Sequence, residues 1–300
     1  RWTVNDRLPL TRSTARGVVL LLDPQLSTMF NEARRYYPTA QFREFRSPTG
    51  GGVVMYEAVI APQDLRAVQG VVARYFRGDT FEGTPAKTEA LPRISVDWST
   101  TPPITGTFSA EFRGTIYAPQ HGAYRFTVNG PLTATLLIDE NPVSDAALTL
   151  AKGNHALRLR VVGNTPKVEL LWQGPGAPQP QVVPESALFR PPVTNSGLLG
   201  AYFTSPNWSG VPAFTQVDSE IAFYFQNLPL PRPYSVEWKG KVFAPPNGAY
   251  RFGTESIDNS QLLINNQVVV DNPRGHALVE GALNLTQGWH DVTLRFADKT

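Results

Sequence analysis

The stretch Gly122-Ala123-Tyr124-Arg125-Phe126 occurs again as Gly248-Ala249-Tyr250-Arg251-Phe252, and this repetition decides the fold. Working outward, Phe112-Arg113-Gly114 matches Trp238-Lys239-Gly240, and Ala118-Pro119 matches Ala244-Pro245, all at an offset of 126. Leu136-Leu137-Ile138-Asp139 matches Leu262-Leu263-Ile264-Asn265 at the same offset of 126. Upstream, Tyr75-Phe76 with Gly83 and Pro85 matches Tyr202-Phe203 with Gly210 and Pro212, offset by 127. Downstream, Gly153-Asn154-His155 matches Gly288-Trp289-His290 at an offset of 135, so the first copy is nine residues shorter after Asp145. A period this long exceeds any solenoid unit and predicts two tandem domains.

Inside each copy apolar and polar residues alternate, the period-two signature of a half-buried strand. Tyr124, Phe126 and Val128 alternate with Arg125 and Thr127; Val292, Leu294 and Phe296 alternate with Thr293 and Arg295. Turn formers separate the runs at 119–122, Asn129-Gly130-Pro131, 152–154, 245–248 and Gln287-Gly288. The prediction is a mainly β protein, two tandem antiparallel β-sandwiches. Gly174 to Pro192 carries prolines at 175, 178, 180, 184, 191 and 192, as a semi-extended connector would.

Residues 1–69 read differently, as a small α/β unit. Val18 to Leu22 is a continuous apolar run, expected to be a strand covered on both faces. Asp23-Pro24 is a helix start, and Leu26, Met29, Phe30, Ala33 and Tyr37 form one helical stripe that Pro38 ends. Phe42 to Phe45 and Val53 to Ile60 read as strands joined by the turn at 47–52. The β-α-β-β unit is small for independent stability and is expected to pack on the first sandwich.

Composition excludes several classes. Charged residues make up 17% of 300, hydrophobic ones 41%, and the net charge is +2, which argues against disorder and against nucleic acid as a partner. With no cysteine there is no disulfide, thiolate metal site or cysteine nucleophile. No apolar run approaches the roughly 18 residues of a membrane span.

The second copy's motifs resemble the PA-fourteen module, a β-sandwich family named after a domain of protective antigen. They are Gly197 to Phe203, Gly210, Pro212, Ser235 to Gly240, Pro245, Gly248 to Phe252, Leu262 to Asn265, Val269 to Asn272 and Gly288-Trp289-His290. The resemblance implies jelly-roll-type sandwiches at 70–190 and 197–300. In the first copy Val168 to Trp172 resembles the last strand and Pro184 to Phe189 the tail after it. By the offset of 135 the second copy's last strand would begin near 303, past Thr300. The expectation is a second sandwich lacking its last strand, in a protein that continues.

Family members are mostly accessory or adhesive modules, and many bind carbohydrate. In calcium-dependent members two adjacent acidic residues ligate the ion that holds sugar hydroxyls. Here that loop reads Ser256-Ile257-Asp258-Asn259, with isoleucine at the first acidic position, which leaves Asp258 as the single acidic candidate for calcium. In the first copy the loop, near 128–131, has no carboxylate. Residues 1–69 resemble the extramembrane C-terminal region of bacterial membrane glycosyltransferases of the dolichyl-phosphate-mannose-protein mannosyltransferase type. The residues are Leu20 to Pro24, Arg34 to Pro38 and Phe45 to Gly51. The resemblance implies a membrane-embedded catalytic part of the same chain and an extracytoplasmic or cell-surface location.

No catalytic constellation stands out. His155 and His290 occupy equivalent turn positions, which suits structure; no histidine is near a Gly-x-Ser-x-Gly elbow, and no paired metal motif occurs. For binding, Trp208 and its counterpart Phe81 read either as caps on the core or as platforms for a sugar ring. Trp98, Trp172 and Trp238 read as core. Asp258, Asn259, Asp271 and Asn272 read either as turn formers or, if their loops share one end of the sandwich, as a polar rim for hydroxyls. Two functions from different classes stand: a non-catalytic module that binds glycans or cell-surface polysaccharide, and a spacer or protein-docking module.

Overall fold

Alternation becomes strand pairing throughout the chain. The computed structural model describes residues 8–10, 16–130, 133–144, 146–162, 167–190, 197–218, 221–222 and 228–299. Pro131, Asp145, Pro191 and Pro192, named above, lie outside the described residues. The protein is mainly β with several antiparallel sheets. The chain divides into two compact units, the second holding 196–300 with 119–122 and 150–153, the first the remainder. No described helix is long and apolar enough to cross a membrane.

The first unit begins with β1 (Val18–Leu22), a 3-10 turn at Pro24–Leu26 and helix α1 (Ser27–Tyr36). β2 (Gln41–Arg46), β3 (Val53–Ile60) and α2 (Pro62–Val68) follow, and the sheet order is β1-β3-β2. Asp23 Oδ1 accepts from Gln25 N–H at 3.1 Å, so the Asp-Pro start holds, as a 3-10 turn that runs into the α-helix. Phe30, Ala33, Tyr36 and Tyr37 share a buried core with Leu20, Leu22, Ile60, Leu65 and, from farther along the chain, Phe189. The expectation that β1 is covered on both faces is corrected: Val19 and Leu21 are 56% and 58% exposed. Helices and core back this three-stranded sheet on one side only, so its strands alternate. α2 escapes the sequence reading because it is only about two turns of helix; its signal is Asp64, whose Oδ2 accepts from Ala61 N–H at 2.9 Å.

The first sandwich continues with β4 (Val71–Arg77), β5 (Lys87–Leu91), β6 (Ser95–Asp97), β7 (Phe108–Ala118), β8 (Gly122–Asn129) and β9 (Thr133–Ile138). Then come β10 (Asn141–Pro142), β11 (Leu148–Leu150), β12 (Gly153–Val162), β13 (Lys167–Gln173), β14 (Gln181–Val182) and β15 (Leu188–Phe189). One sheet runs β10-β9-β12-β7-β4-β5 with β15 on β7; the other runs β11-β8-β13-β14 with β6 on β13. The proline-rich segment therefore closes both sheets, with Val182 opposite Leu171 and Leu188 opposite Ile116. Trp98, Trp172 and Trp238 are buried as expected, although Trp98 follows β6 instead of lying in it.

The second unit contains β16 (Leu198–Phe203), β17 (Phe214–Asp218), β18 (Tyr234–Ala244), β19 (Gly248–Thr254), β20 (Asn259–Ile264), β21 (Gln267–Asn272), β22 (Val279–Leu285) and β23 (Gly288–Asp298). The large sheet runs β17-β16-β18-β23-β20-β21, and β19 pairs with β22. Between the sheets lie Ala244, Leu262, Ile264, Val270, Leu285 and Val292. A buried group of Tyr202, Tyr234, Val236, Trp238 and Phe296 packs farther along. Among the described residues β19 has β22 as its one strand partner, whereas its counterpart β8 lies between β11 and β13. Tyr124 and Phe126 of β8 are buried, and their equivalents Tyr250 and Phe252 are half-buried.

Candidate functional site

The loops that carry Asp258 and Asn272 meet at one end of the second sandwich. His276 N–H donates to Ser256 O at 2.6 Å, and Gly275 lies against the carbonyls of Ile257 and Asp258. Gly275 has φ +64, and a Cβ there would stand 2.2 Å from Ile257 O, so only glycine fits this approach. Asn272 makes the join. Its Nδ2 donates to Ala277 O at 2.9 Å and Thr254 O at 3.3 Å, and its Oδ1 accepts from Gly275 N–H at 3.1 Å. Asn272 is buried and its amide is committed to the loop, a turn-forming role.

Asp258 is half-buried beside the end of β23, and its Oδ2 accepts from Lys299 N–H at 2.7 Å. Close by, Arg232 Nε donates to Asp298 Oδ1 at 2.6 Å; the side chain of Asp298 is fully buried. The hydrogen bond to Asp298 first, and the charges of Asp298, Tyr234 and Asp258 after it, raise the basicity of Arg232. Asn259 opens β20 opposite Ala297, and its Oδ1 is buried without a hydrogen-bond partner among the described residues. Arg274 and His276 are exposed on the neighbouring loop. This end therefore offers cationic donors and carboxylate acceptors within one rim, suited to neutral hydroxyls.

Trp208 stands in the loop between β16 and β17, against the large sheet, and Asp271 is the residue before Asn272 in β21. Trp208 N–H donates to Ser235 Oγ and its Nε1–H to Phe296 O, each at 3.0 Å. Its ring faces Arg295, whose Cζ is 5.7 Å from the ring centroid. Arg295 donates to Glu237 Oε2 at 2.8 Å. The first copy repeats this arrangement: Arg160 Cζ lies 4.9 Å from the Phe81 centroid and its Nε donates to Glu111 Oε2 at 2.8 Å. Phe81 also packs edge-to-face on the buried Phe76, with centroids 6.0 Å apart, so it caps the core, and both aromatics in addition cover an ion pair on a sheet. Burial alone would raise the carboxyls of Glu111 and Glu237. Hydrogen bonds from Arg113 and Arg160, and from Lys239 and Arg295, outweigh it and hold both below the usual range. Asp271 is exposed across from Gln261, whose Nε2 reaches it at 3.5 Å.

The residues do not fit calcium. Ile257 contributes no side-chain oxygen, one oxygen of Asp258 is already engaged by Lys299 N–H, and the nearby Asp298 carboxylate is buried and paired with Arg232. Among the described residues no three His, Cys, Asp or Glu side chains group to hold a metal ion. The repeated histidines are strand residues that bind the adjacent turn. His155 Nδ1 is 2.7 Å from Asp139 Oδ2; His290 Nδ1 is 2.9 Å from Asn265 Nδ2 and its Nε2 is 2.8 Å from Thr286 O.

One feature escapes the sequence reading. Phe243 and Trp289 face each other across β18 and β23, 47% and 65% exposed, with ring centroids 5.2 Å apart. Strand parity carried the signal: His290 and Val292 are buried, so Trp289 must project from the opposite face.

Comparison with known proteins agrees with this architecture. The PA14 domain matches residues 67–169 and 194–291, more than half of the chain. No curated protein matches it. Among solved structures, an anti-sigma factor domain-containing protein from Clostridium clariflavum is 21% identical, covering 77% of this chain and 90% of its own, with a TM-score of 0.38. The PA14 domain of the MpAFP antifreeze protein is 15% identical over 40% of this chain and 89% of its own, with a TM-score of 0.33. A β-glucosidase from Kluyveromyces marxianus in complex with glucose is 16% identical over 34% of this chain and 14% of its own, with a TM-score of 0.29. TM-scores this low carry no functional argument. The two family matches, one on each copy of the repeat, show the family: the chain belongs to the PA14 domain family.

Proposed function

We propose that this chain is a non-catalytic glycan-binding module of the extracytoplasmic face, carried by a larger membrane-attached glycosyltransferase. PA14 domains are typically extracellular, which supports the location. The observation that carries the binding reading is the clasped loop end of the second sandwich, where half-buried Asp258 and exposed Arg232 lie at the end that carries the loop of Arg274 and His276. Hydroxyls both donate and accept, so a rim with carboxylate and guanidinium groups suits them. The resemblance of residues 1–69 to a glycosyltransferase's extramembrane region supports the attachment. A glycan array probed with this chain, in calcium and in EDTA, tests the reading. The expected result is a set of bound saccharides, lost in Asp258→Ala with Arg232→Ala and unchanged by EDTA. An array blank in both buffers sinks it.

A second reading, a docking or spacer module, is favoured by one observation. Val19, Leu21, Phe45 and Val54 are exposed apolar residues on the three-stranded sheet of the first unit. A pull-down from a membrane extract that weakens with Leu21→Asp would support it over glycan binding.

A further inference from the structure

The second copy of the repeat is the longer one, and its extra residues fall in one place. Asp145 corresponds to Asp271 at the offset of 126, whereas Leu148-Thr149-Leu150 of β11 corresponds to Leu283-Asn284-Leu285 of β22 at 135. The nine additional residues therefore lie within 272–282, in the turn from β21 to β22 and the first part of β22. In the first copy Ala146-Ala147 stands in their place. Thr254 pairs with Val279, so this turn and the loop after β19 leave the same pair of strands side by side. The three bonds of Asn272, the bond from His276 N–H to Ser256 O and the seat of Gly275 on the carbonyls of Ile257 and Asp258 then fix its backbone.

The side chains that this turn carries outward take no part in holding it. Arg274 and His276 are exposed, and among the described residues neither side chain makes a hydrogen bond or an ion pair. Arg232, by contrast, is spent on Asp298. Ile257 and Leu278, on the two clasped loops, are 43% and 59% exposed. We infer that this rim takes a saccharide bearing a carboxylate, a uronic acid residue, with Arg274 on the carboxylate and Asp258 on hydroxyls. The inference rests on the glycan-binding reading of the same rim and names its ligand class. A guanidinium presents a planar fork of donors that matches a carboxylate. Asp258 commits Oδ2 to Lys299 N–H and keeps Oδ1 to accept from a hydroxyl. Ile257 and Leu278 offer apolar surface to the C–H face of a sugar ring. A phosphomonoester would bring nearly two negative charges to a rim that already holds Asp258, which disfavours it. Because the turn is confined to the second copy, so is the site.

The test uses the full chain with oligomers of galacturonic and glucuronic acid, and their methyl esters, which keep the hydroxyls and lose the charge. Isothermal titration measures affinity, and amide hydrogen exchange locates the contact. The expected result is that an acid oligomer binds at least about tenfold more tightly than its ester, with new protection at 255–259 and 273–277. Arg274→Gln should bring the acid down to the affinity of the ester. Arg274→Lys should fall between, since lysine keeps the charge and loses the fork. The bonds that hold the turn do not use the Arg274 side chain, so exchange at 273–277 in the unliganded variants should match the parent. Equal binding of acid and ester, a difference that survives Arg274→Gln, or tighter binding of a sulfated oligomer overturns the inference and leaves glycan binding standing. Binding of neither oligomer overturns it as well, and the glycan reading falls only if the array is also blank.

Discussion

His155 Nδ1 lies 2.7 Å from Asp139 Oδ2, and the contact ties the start of β12 to the two-residue turn that begins at Asp139. Asp139 and Glu140 have φ of 51° and 63°, and the equivalent Asn265 and Asn266 have 50° and 64°, the backbone of a tight hairpin. The second copy keeps the clamp and exchanges its polarity. Asn265 Nδ2 donates to His290 Nδ1, and Nε2–H donates to Thr286 O. His155 therefore carries a proton on Nδ1, whereas Nδ1 of His290 is an unprotonated acceptor and its proton is on Nε2. Nitrogen-15 NMR of the imidazoles checks this directly; matching tautomers would contradict it. Asp139→Ala should cost about 1–2 kcal/mol in denaturant unfolding.

The paired sites Glu111–Arg160–Phe81 and Glu237–Arg295–Trp208 predict an acid-sensitive increment of stability. Both carboxyls are held below their ordinary range, so the unfolded chain binds more protons than the folded one as pH falls. Their stabilisation is present above the unfolded value of about 4.5 and is lost as pH falls through the lower folded values. Glu111→Gln should destabilise by roughly 1–3 kcal/mol at pH 7, and the gap from the parent should close towards pH 3. Urea titrations at several pH values report it; a gap that does not change with pH would refute the prediction.

Gly275→Ala places a Cβ 2.2 Å from Ile257 O at a φ of +64. The expected cost is on the order of 2–3 kcal/mol, from left-handed strain together with the clash. Because the same carbonyls carry the clasp, hydrogen exchange at 255–259 and 273–277 should accelerate together. Saccharide binding at the rim should weaken with it.

Asp218 is the most heavily used buried carboxylate of the second sandwich. Its Oδ2 accepts from Tyr202 Oη at 2.7 Å and Trp238 Nε1 at 2.8 Å, and its Oδ1 from Gln216 Nε2 at 2.8 Å. Asp218→Asn turns an amide N–H₂ towards one of those donors, and about 2–3 kcal/mol should be lost. Gly200→Ala should cost a similar amount, since its Cβ would meet Asp218 Oδ2 and Trp238 Nε1, each at 2.8 Å. Thermal melts of the two variants and the double variant should show non-additivity, as expected of one network.

Much of this architecture is written locally. Alternation over Tyr124–Val128 and Val292–Phe296, and glycine or asparagine at the turns, are properties of neighbouring residues, so they survive in the sequence. The repeat adds a second reading of every strand, which is why Phe81 and Trp208 could be matched although they are different residues. What each aromatic touches was not legible. Trp208 stacks on Arg295, which is remote in sequence, and its loop gives no sign of that partner. Asn272 read either as a turn former or as part of a rim, and only its burial and its bonds to Gly275 and Ala277 separate the two, in favour of the turn.

The sequence by itself determined the sandwich class, the tandem copies, the absence of disulfides and the turn chemistry, because these depend on periodicity and residue type. Tertiary structure alone decided that the loops next to Asp258 and Asn272 share one end and that Trp208 packs over Arg295. It also decided that β1 is covered on one face. Those outcomes depend on which surfaces meet, and burial and hydrogen-bond satisfaction are settled between segments far apart in the chain, not within them.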